Sequence, residues 1–118
     1  MSASRSAPRT SEAALQAAIL QKWGADPRLR IWRQNTGQAW VPLGHGWRPV
    51  RMGLPGVADI IGIMAPHGRW LAIETKASGG RQRSSQKAFQ AMVERMGGLY
   101  VLARDVETVD AALEKALR

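Results

Sequence analysis

The stretch "DIIGIMAPHGRWLAIETKAS", residues 59–78, decides the fold. Two short apolar segments flank the sequence Ala-Pro-His-Gly, so the stretch predicts two antiparallel strands joined by a turn at 65–68. Strands of a protein core are mostly apolar, yet this pair carries Asp59, Glu74 and Lys76. These three charged side chains therefore call for a physical reason.

The predicted pairing brings the three charged residues to one side of the sheet. With the turn at 65–68, Asp59 lies opposite Glu74, and directly opposed residues point the same way with Cβ atoms roughly 5 Å apart. Lys76 lies two residues beyond Glu74 and joins that side. A slip of one residue would separate the acids. The other side receives the apolar or glycine positions Ile60, Gly62, Met64, Leu71 and Ile73.

Two facing carboxylates repel one another unless a positive charge lies between them. One interpretation is a structural cluster in which Lys76 neutralises the acids. The other is a divalent cation, because Mg²⁺ takes one or two carboxylates together with water and a substrate phosphate. Lys76 would then orient or deprotonate the attacking water and offset charge on the phosphate. The spacing leaves both open, and the basic surroundings favour the cation.

The overall charge points to an anionic partner. The 118 residues give room for one domain, and the formal net charge is +8 with a sequence pI of about 11.3. Such a charge is typical of proteins that bind nucleic acid, and a basic protein without a specific partner is the plain alternative. We interpret residues 1–10 as a flexible basic arm and residues 11–118 as a single domain.

The absence of cysteine excludes disulfides and thiolate metal sites. No apolar run approaches the ~20 residues that a membrane-spanning helix needs. We therefore expect an intracellular protein that is not secreted and has no membrane partner.

The order of predicted elements indicates an α/β protein with a mixed sheet and helices packed against it. The first element is a helix capped by Thr10 or Ser11 and ending near Trp23. A strand at 28–35, a hairpin or pair of loops at 36–57 and the hairpin at 59–78 follow. The chain then forms a helix capped by Ser84 or Ser85 and running through Met96, a strand at 99–103 and a helix at 106–117.

Apolar spacing predicts which side chains face the core. The inward positions are Leu15, Ile19 and Trp23 on the first helix and Phe89, Met92, Val93 and Met96 on the second. Among the tryptophans, Trp70 also falls on a core-facing stripe, whereas Trp40 and Trp47 lie in the irregular segment and suit a partner surface. His45 and His67 are far from any acid in sequence and receive no chemical role.

The pieces "GVAD" (56–59) and "ETK" (74–76) resemble the signature of PD-(D/E)XK nucleases. More narrowly, the chain resembles the virus-type replication–repair nuclease family, VRR-NUC. Ala58 stands where this signature often has Pro, a residue that stiffens the backbone and supplies no ligand. The pieces that carry the resemblance are Glu12, "RQNTG" (33–37), "GLPGVADIIG" (53–62), "AIETKASGGRQRSSQKAF" (72–89) and "GGLYVLAR" (97–104).

The resemblance implies a restriction-endonuclease-like α/β core with a metal centre of one or two ions. By family analogy, Asp59, Glu74 and the backbone carbonyl of Thr75 hold Mg²⁺ or Mn²⁺, and Lys76 assists the attacking water. These four residues are the expected catalytic and metal-binding centre.

Two further residues enter the site through the resemblance. Gln86, early in the second helix, would support the centre, and its plain alternative is exposure to water. Glu12 would approach the metal directly or through water, and its plain alternative is a favourable interaction with the helix dipole.

Basic residues around the predicted site suit contacts to a phosphate backbone. Solvated surface charge is the alternative for any one of them. Arg33, Asn35 and Thr36, which close the first strand, would line the cleft of the site. The expected DNA-binding residues are Arg33, Asn35, Arg48, Arg51, Arg81, Arg83 and Lys87.

The sequence therefore predicts a Mg²⁺- or Mn²⁺-dependent endonuclease that hydrolyses phosphodiesters of double-stranded or branched DNA. Stand-alone members of the family that the chain resembles look like homodimers that cut four-way junctions, which implies the same here. One alternative is a non-catalytic basic DNA-binding module. Another is a related nuclease that acts as a nickase, a flap enzyme or an archaeal-type junction resolvase.

Overall fold

A computed structural model describes residues 11–34, 38–51 and 53–118 of the chain. The basic arm predicted at 1–10, together with Asn35 and Thr36, lies outside the described residues. The elements are α1 (Glu12–Trp23), β1 (Leu29–Arg33), β2 (Gln38–Leu43), β3 (Gly46–Arg51), β4 (Ile60–Met64), β5 (Arg69–Thr75), α2 (Ser84–Arg95), β6 (Leu99–Ala103) and α3 (Val106–Ala116).

A mixed four-stranded sheet forms the centre of the protein, in the order β1-β4-β5-β6. The pairs β1–β4 and β4–β5 are antiparallel, and β5–β6 is parallel. Met64 pairs with Arg69 and Ile60 pairs with Ile73, so the predicted turn and register of the hairpin are confirmed. The predicted α/β class, a mixed sheet flanked by helices, is confirmed as well.

One face of the sheet packs against α1 and α3. Ser11 is the α1 cap, because its Oγ accepts a hydrogen bond from the Ala14 N–H at 3.0 Å, so the first helix begins as one of the two alternatives predicted. Trp23 Nε1 donates to Asp110 Oδ1 of α3 at 2.8 Å and joins the two helices. The predicted inward residues Leu15, Ile19 and Trp23 are all buried in this core, together with Ile60, Met64, Leu71 and Ile73.

The helix α2 covers part of the other face, where Phe89 and Val93 pack against Ala72 and Tyr100. Its cap differs from the prediction. The residue at the cap position is Arg83 rather than Ser84 or Ser85, since the Arg83 N–H donates to Gln86 Oε1 at 2.8 Å and the helix already includes both serines.

Two side chains predicted to be inward are exposed. Met96 is 74% exposed, because α2 ends at Arg95 and Gly97, with φ of 89°, turns the chain back toward the sheet. Trp70 is 44% exposed, since it lies on the face that α2 covers but near the end of that helix. Alternation in a strand indicates the side to which a residue points, and the length of the covering helix decides whether it is buried.

The segment β2–β3 forms a separate two-stranded sheet. Of the two readings that the sequence left open there, the hairpin is correct. Trp40 and Trp47 are exposed on it, as expected for a partner surface. None of the helices in the described part of the chain has both the length and the apolar character needed to cross a membrane.

Candidate metal centre

The two acids meet where β5 extends beyond β4. The last β4–β5 pair is Ile60 with Ile73, so Asp59 lies just outside the ladder and its backbone oxygen accepts from the Gln34 N–H at 2.7 Å. Its carboxylate turns toward β5, where Asp59 Oδ2 accepts from both the N–H and the hydroxyl of Thr75, each at 2.9 Å. The sequence predicts that Asp59 faces Glu74, whereas its carboxylate forms hydrogen bonds to the next residue of β5, Thr75.

Thr75 occupies the last position of β5, with its backbone N–H directed toward Asp59. In a strand the N–H and the carbonyl of one residue point to the same edge, so the Thr75 carbonyl lies on the Asp59 edge as well. The backbone N–H of the next residue points to the opposite edge of β5, where the Lys76 N–H donates to the Ala103 oxygen of β6 at 3.0 Å. The carbonyl expected as a ligand thus shares an edge with the first acid.

Glu74 is buried, with only 2% of its surface exposed. Its Oε2 accepts from Gln86 Nε2 at 2.8 Å and lies 3.7 Å from Lys76 Nζ. Its Oε1 is buried without a hydrogen-bond partner among the described residues. A buried carboxylate oxygen without a partner is costly, so this atom is suited to bind a cation or a water molecule.

The environment of Glu74 also changes its proton affinity. Burial is the largest cause that raises its pKa to about 7, and the negative charge of Asp59 adds to the effect. Lys76 acts in the opposite direction, and Glu12 raises the pKa slightly further. In the absence of a cation, the carboxylate is therefore held in surroundings that disfavour its charge.

Gln86 connects α2 to this acid. Its Oε1 accepts from the Arg83 N–H while its Nε2 donates to Glu74 Oε2, so both ends of the amide are used and the side chain is buried. The expected position of Gln86 beside the centre is confirmed, and the alternative of an exposed side chain is wrong. The Gln86 side chain therefore both accepts from the cap residue Arg83 and donates to Glu74.

The helix α1 reaches the centre through two side chains. Glu12 is exposed, but its Oε1 accepts from the Ala77 N–H at 3.1 Å, just beyond β5. Gln16, one turn later, donates from Nε2 to Thr75 Oγ1 at 2.9 Å. Sequence reasoning found Glu12 and missed Gln16 and the Thr75 hydroxyl. The available signal was that Gln16 stands four residues after Glu12 and so shares its helix face.

The glycine that opens "GVAD" fixes the distance between the Asp59 segment and α2. Gly56 has φ of +75°, and a Cβ added there would meet the Ser85 oxygen at 2.1 Å and the Gln86 nitrogen at 2.7 Å. The loop before β4 therefore packs backbone to backbone against the first turn of α2.

The donor set fits a hard divalent cation. Asp59, Glu74 and the Thr75 carbonyl supply oxygen atoms, and Glu74 Oε1, which has no partner among the described residues, suits a place in the coordination shell of a cation. Among the described residues no group of three or more His, Cys, Asp or Glu side chains is placed to hold a metal ion. Glu12, bonded to the Ala77 N–H, fits the role through water better than the direct one.

The expected DNA-binding residues divide into two groups. Arg81, Arg83 and Lys87 are exposed at the start of α2, beside Gln86, and Arg33 is exposed next to Gln34 at the end of β1. These four belong to the segments from which Gln34 contacts Asp59 and Gln86 contacts Glu74. Arg48 is exposed on the separate β2–β3 sheet, where Arg51 also lies in the last position of β3, and Asn35 falls outside the described residues.

Comparisons of the chain with protein-family models, with curated proteins and with solved structures each give no match.

Proposed function

We propose that the protein is a Mg²⁺- or Mn²⁺-dependent endonuclease that hydrolyses phosphodiesters of DNA. The observation that carries the proposal is the buried Glu74, whose Oε1 has no hydrogen-bond partner in the described part of the chain, while Asp59 and Lys76 lie beside it. An orphaned carboxylate oxygen at the edge of a basic surface suits a cation that is shared with a phosphate.

Each residue has a defined part in the proposed reaction. A bound Mg²⁺ or Mn²⁺ supplies Lewis-acid stabilisation of the negative charge that develops on the phosphate. Asp59, just before β4, and Glu74, on β5, would hold the ion, and Gln86 orients Glu74. Lys76 places a cation beside the attacking water and the phosphate. Water forms the new P–O bond and gives up a proton to solvent, the bond to the 3′ oxygen breaks, and that oxygen takes a proton from solvent, which leaves a 3′ hydroxyl and a 5′ phosphate.

DNA is the proposed substrate because the rim of the site is basic. The exposed Arg33, Arg81, Arg83 and Lys87 suit contacts to phosphates, which position a duplex without reading its sequence. The resemblance to VRR-NUC nucleases and their restriction-endonuclease-like core favours branched DNA such as a four-way junction.

A homodimer belongs to the same proposal. A two-stranded hairpin is marginally stable by itself, and β2–β3 exposes Trp40 and Trp47. A second copy that covers this hairpin would bury both rings and place two centres on one DNA molecule. Sedimentation of the wild type against a Trp40→Ser/Trp47→Ser double variant measures this, and an unchanged mass would argue against the hairpin as the interface.

A second candidate function is a non-catalytic DNA-binding module. The contact of 3.7 Å between Lys76 Nζ and Glu74 Oε2 favours it, because a salt bridge gives both residues a purely structural role. This reading leaves Glu74 Oε1 without explanation. For that reason we rank it second.

The test is a cleavage panel with labelled four-way junction, flap, nicked and linear DNA, in Mg²⁺, Mn²⁺, Ca²⁺ or EDTA. We expect cleavage that requires Mg²⁺ or Mn²⁺ and is fastest on the junction. The panel also includes Asp59→Asn. Asp105→Asn is the matched control for this acid-to-amide change, because Asn also caps α3 well. Binding of every DNA without any cleavage would favour the module, and preference for the flap or nicked DNA would favour the related nucleases.

A further inference from the structure

A groove lies beside the metal centre on the face of the sheet that α2 only partly covers. We call it the Trp32 groove, and its volume is about 460 Å³. The strands contribute Trp32, Ile61 and Trp70, and the neighbouring loop and helix contribute Leu54, Met92 and Met96. Its size is within the range of sites that hold one small ligand.

The Trp32 groove and the metal centre are contiguous. Trp32 pairs with Ile61, two residues along β4 from Asp59, which corresponds to about 7 Å along a strand. Gln34 lines the groove, and its backbone N–H also bonds to the Asp59 oxygen. A group that binds in the groove beside Ile61 therefore lies about two residues along the strand from the acids.

The groove presents an aromatic ring that is held in place. Trp32 is 40% exposed, and its Nε1 donates to Gln34 Oε1 at 3.3 Å, which restrains the indole. A fixed and exposed indole is a suitable surface for a nucleobase, because every base has a π-face that stacks on it.

The charge next to the ring favours nucleic acid over a protein partner. Arg30 and Trp32 of β1, and Gln34 just after it, stand at alternate positions along this face. They give the face a cation, an aromatic ring and an amide. Arg30 is exposed opposite Ile63 and forms no ion pair with any residue that the structure describes. Aromatic rings interleaved with cations are the arrangement by which proteins bind unpaired nucleotides.

We propose that the Trp32 groove binds one unpaired nucleotide of the DNA substrate beside the phosphate that is cleaved. This inference rests on the proposed function and specifies its substrate. Trp32 stacks on the base, and Arg30 contacts the next phosphate along the strand. A base inside a duplex is stacked on both faces, so only an unpaired base, such as one at a branch or gap, offers a free face to the indole.

The experiment measures DNA binding and base stacking without cleavage. A duplex with one unpaired 2-aminopurine at a gap, and a fully paired control, are titrated with protein in Ca²⁺, and anisotropy and 2-aminopurine fluorescence are recorded. We expect quenching on the gapped DNA only. Trp32→Ala should remove the quenching and weaken binding of gapped DNA about tenfold, whereas Trp32→Phe should retain most of both.

The control variants separate the parts of the proposal. Arg30→Ala should keep the quenching and reduce the salt dependence of binding by about one phosphate contact. Lys115→Ala, which removes an exposed cation from α3 on the other face of the sheet, should leave both readouts unchanged. Thermal melting of each variant shows whether the fold is retained.

Two outcomes would overturn the inference. The first is that Trp32→Ala and Trp32→Phe both quench and bind like the wild type. The second is that Trp32→Ala lowers the sedimenting mass, which would assign the groove to a second copy of the chain. Neither outcome affects metal-dependent cleavage by the wild type, which tests the proposed function by itself. Absence of that cleavage with Trp32-dependent quenching intact would contradict the proposed function and leave the nucleotide site standing.

Discussion

The buried hydroxyl of Thr75 donates to Asp59 Oδ2 at 2.9 Å. The same hydroxyl accepts from Gln16 Nε2, so its proton has a fixed direction. Because Oδ2 also accepts from the Thr75 N–H, two donors hold the Asp59 carboxylate in one orientation. A side chain that fixes the orientation of a ligand commonly affects metal affinity almost as much as the ligand itself.

The first prediction concerns Thr75. Thr75→Val keeps the shape of the side chain and removes the hydroxyl, so Asp59 loses one donor and we expect metal affinity to fall about 10- to 100-fold. Isothermal titration with Mn²⁺ or Ca²⁺ measures the affinity directly, without cleavage. Thr75→Ser keeps the hydroxyl and should restore most of it, and equal affinities for the two variants would contradict this role.

The second prediction separates catalysis from DNA binding. Asp59→Asn and Lys76→Ala should each abolish cleavage and leave DNA affinity within several-fold, because affinity for the backbone comes mainly from the basic rim. Cleavage of the preferred DNA in Mn²⁺ and anisotropy in Ca²⁺ give the two quantities. Wild-type turnover in either variant would remove that residue from the mechanism.

The third prediction concerns pH in metal-free buffer. Folded Glu74 keeps its proton up to about pH 7, whereas its ordinary pKa of 4.5 applies in the unfolded chain. Between these values the unfolded state binds fewer protons, so the free energy of unfolding should fall as pH rises, by roughly 2 to 3 kcal/mol. The contribution is fully present below pH 4.5 and is lost above pH 7.

Glu74→Gln is the reference for this measurement, because it has the same shape and no charge. The difference in the free energy of unfolding between wild type and variant, from urea titrations at pH 4.5 to 8, isolates the contribution of Glu74. A difference that does not change with pH would contradict the proposed burial of an ionised group.

The fourth prediction concerns repulsion between the two acids. Asp59→Asn retains an oxygen for the Thr75 donors and removes the negative charge that raises the pKa of Glu74. We therefore expect a higher melting temperature than wild type in metal-free buffer at pH 8. Added Mn²⁺ should raise the melting temperature of the wild type alone. A lowered melting temperature for the variant in EDTA would contradict the proximity of the acids.

The fifth prediction concerns Gly56. Gly56→Ala forces a side chain onto a backbone with φ of +75° and against the Ser85 oxygen, so it should destabilise the fold by more than about 2 kcal/mol. Gly68→Ala is the matched control, since Gly68 has φ of +72° and an added Cβ there would meet no atom of residues 11–34, 38–51 or 53–118 within 4 Å. Urea titrations give both values, and equal losses would show that the packing against α2 does not matter.

The hairpin at 59–78 was predictable because local signals agree. The turn residues and the apolar alternation fix one register, and that register brings Asp59, Glu74 and Lys76 together. Gln86 was also predictable, since it stands three residues before Phe89 on the inward face of α2.

Other features depend on contacts that no local pattern carries. The bond between Gln16 and Thr75 joins residues 59 positions apart, so only the docking of α1 reveals it. The exposure of Trp70 and Met96 depends on where α2 ends, and helix ends are set by a capping glycine more than by periodicity. Partial coverage of the sheet is therefore the feature that sequence spacing describes least well.

The two contacts from α1 give the centre a dependence on the amino-terminal helix. Glu12 and Gln16 lie in its first turns, where helices fray most easily, and both end on the backbone or hydroxyl at the tip of β5. Brief detachment of those turns would remove the Gln16 bond that fixes the direction of the Thr75 hydroxyl, and so loosen its hold on Asp59, while the sheet stays folded. The affinity for the cation would then track the local stability of one helix end, and anything that clamps that end would act as an activator.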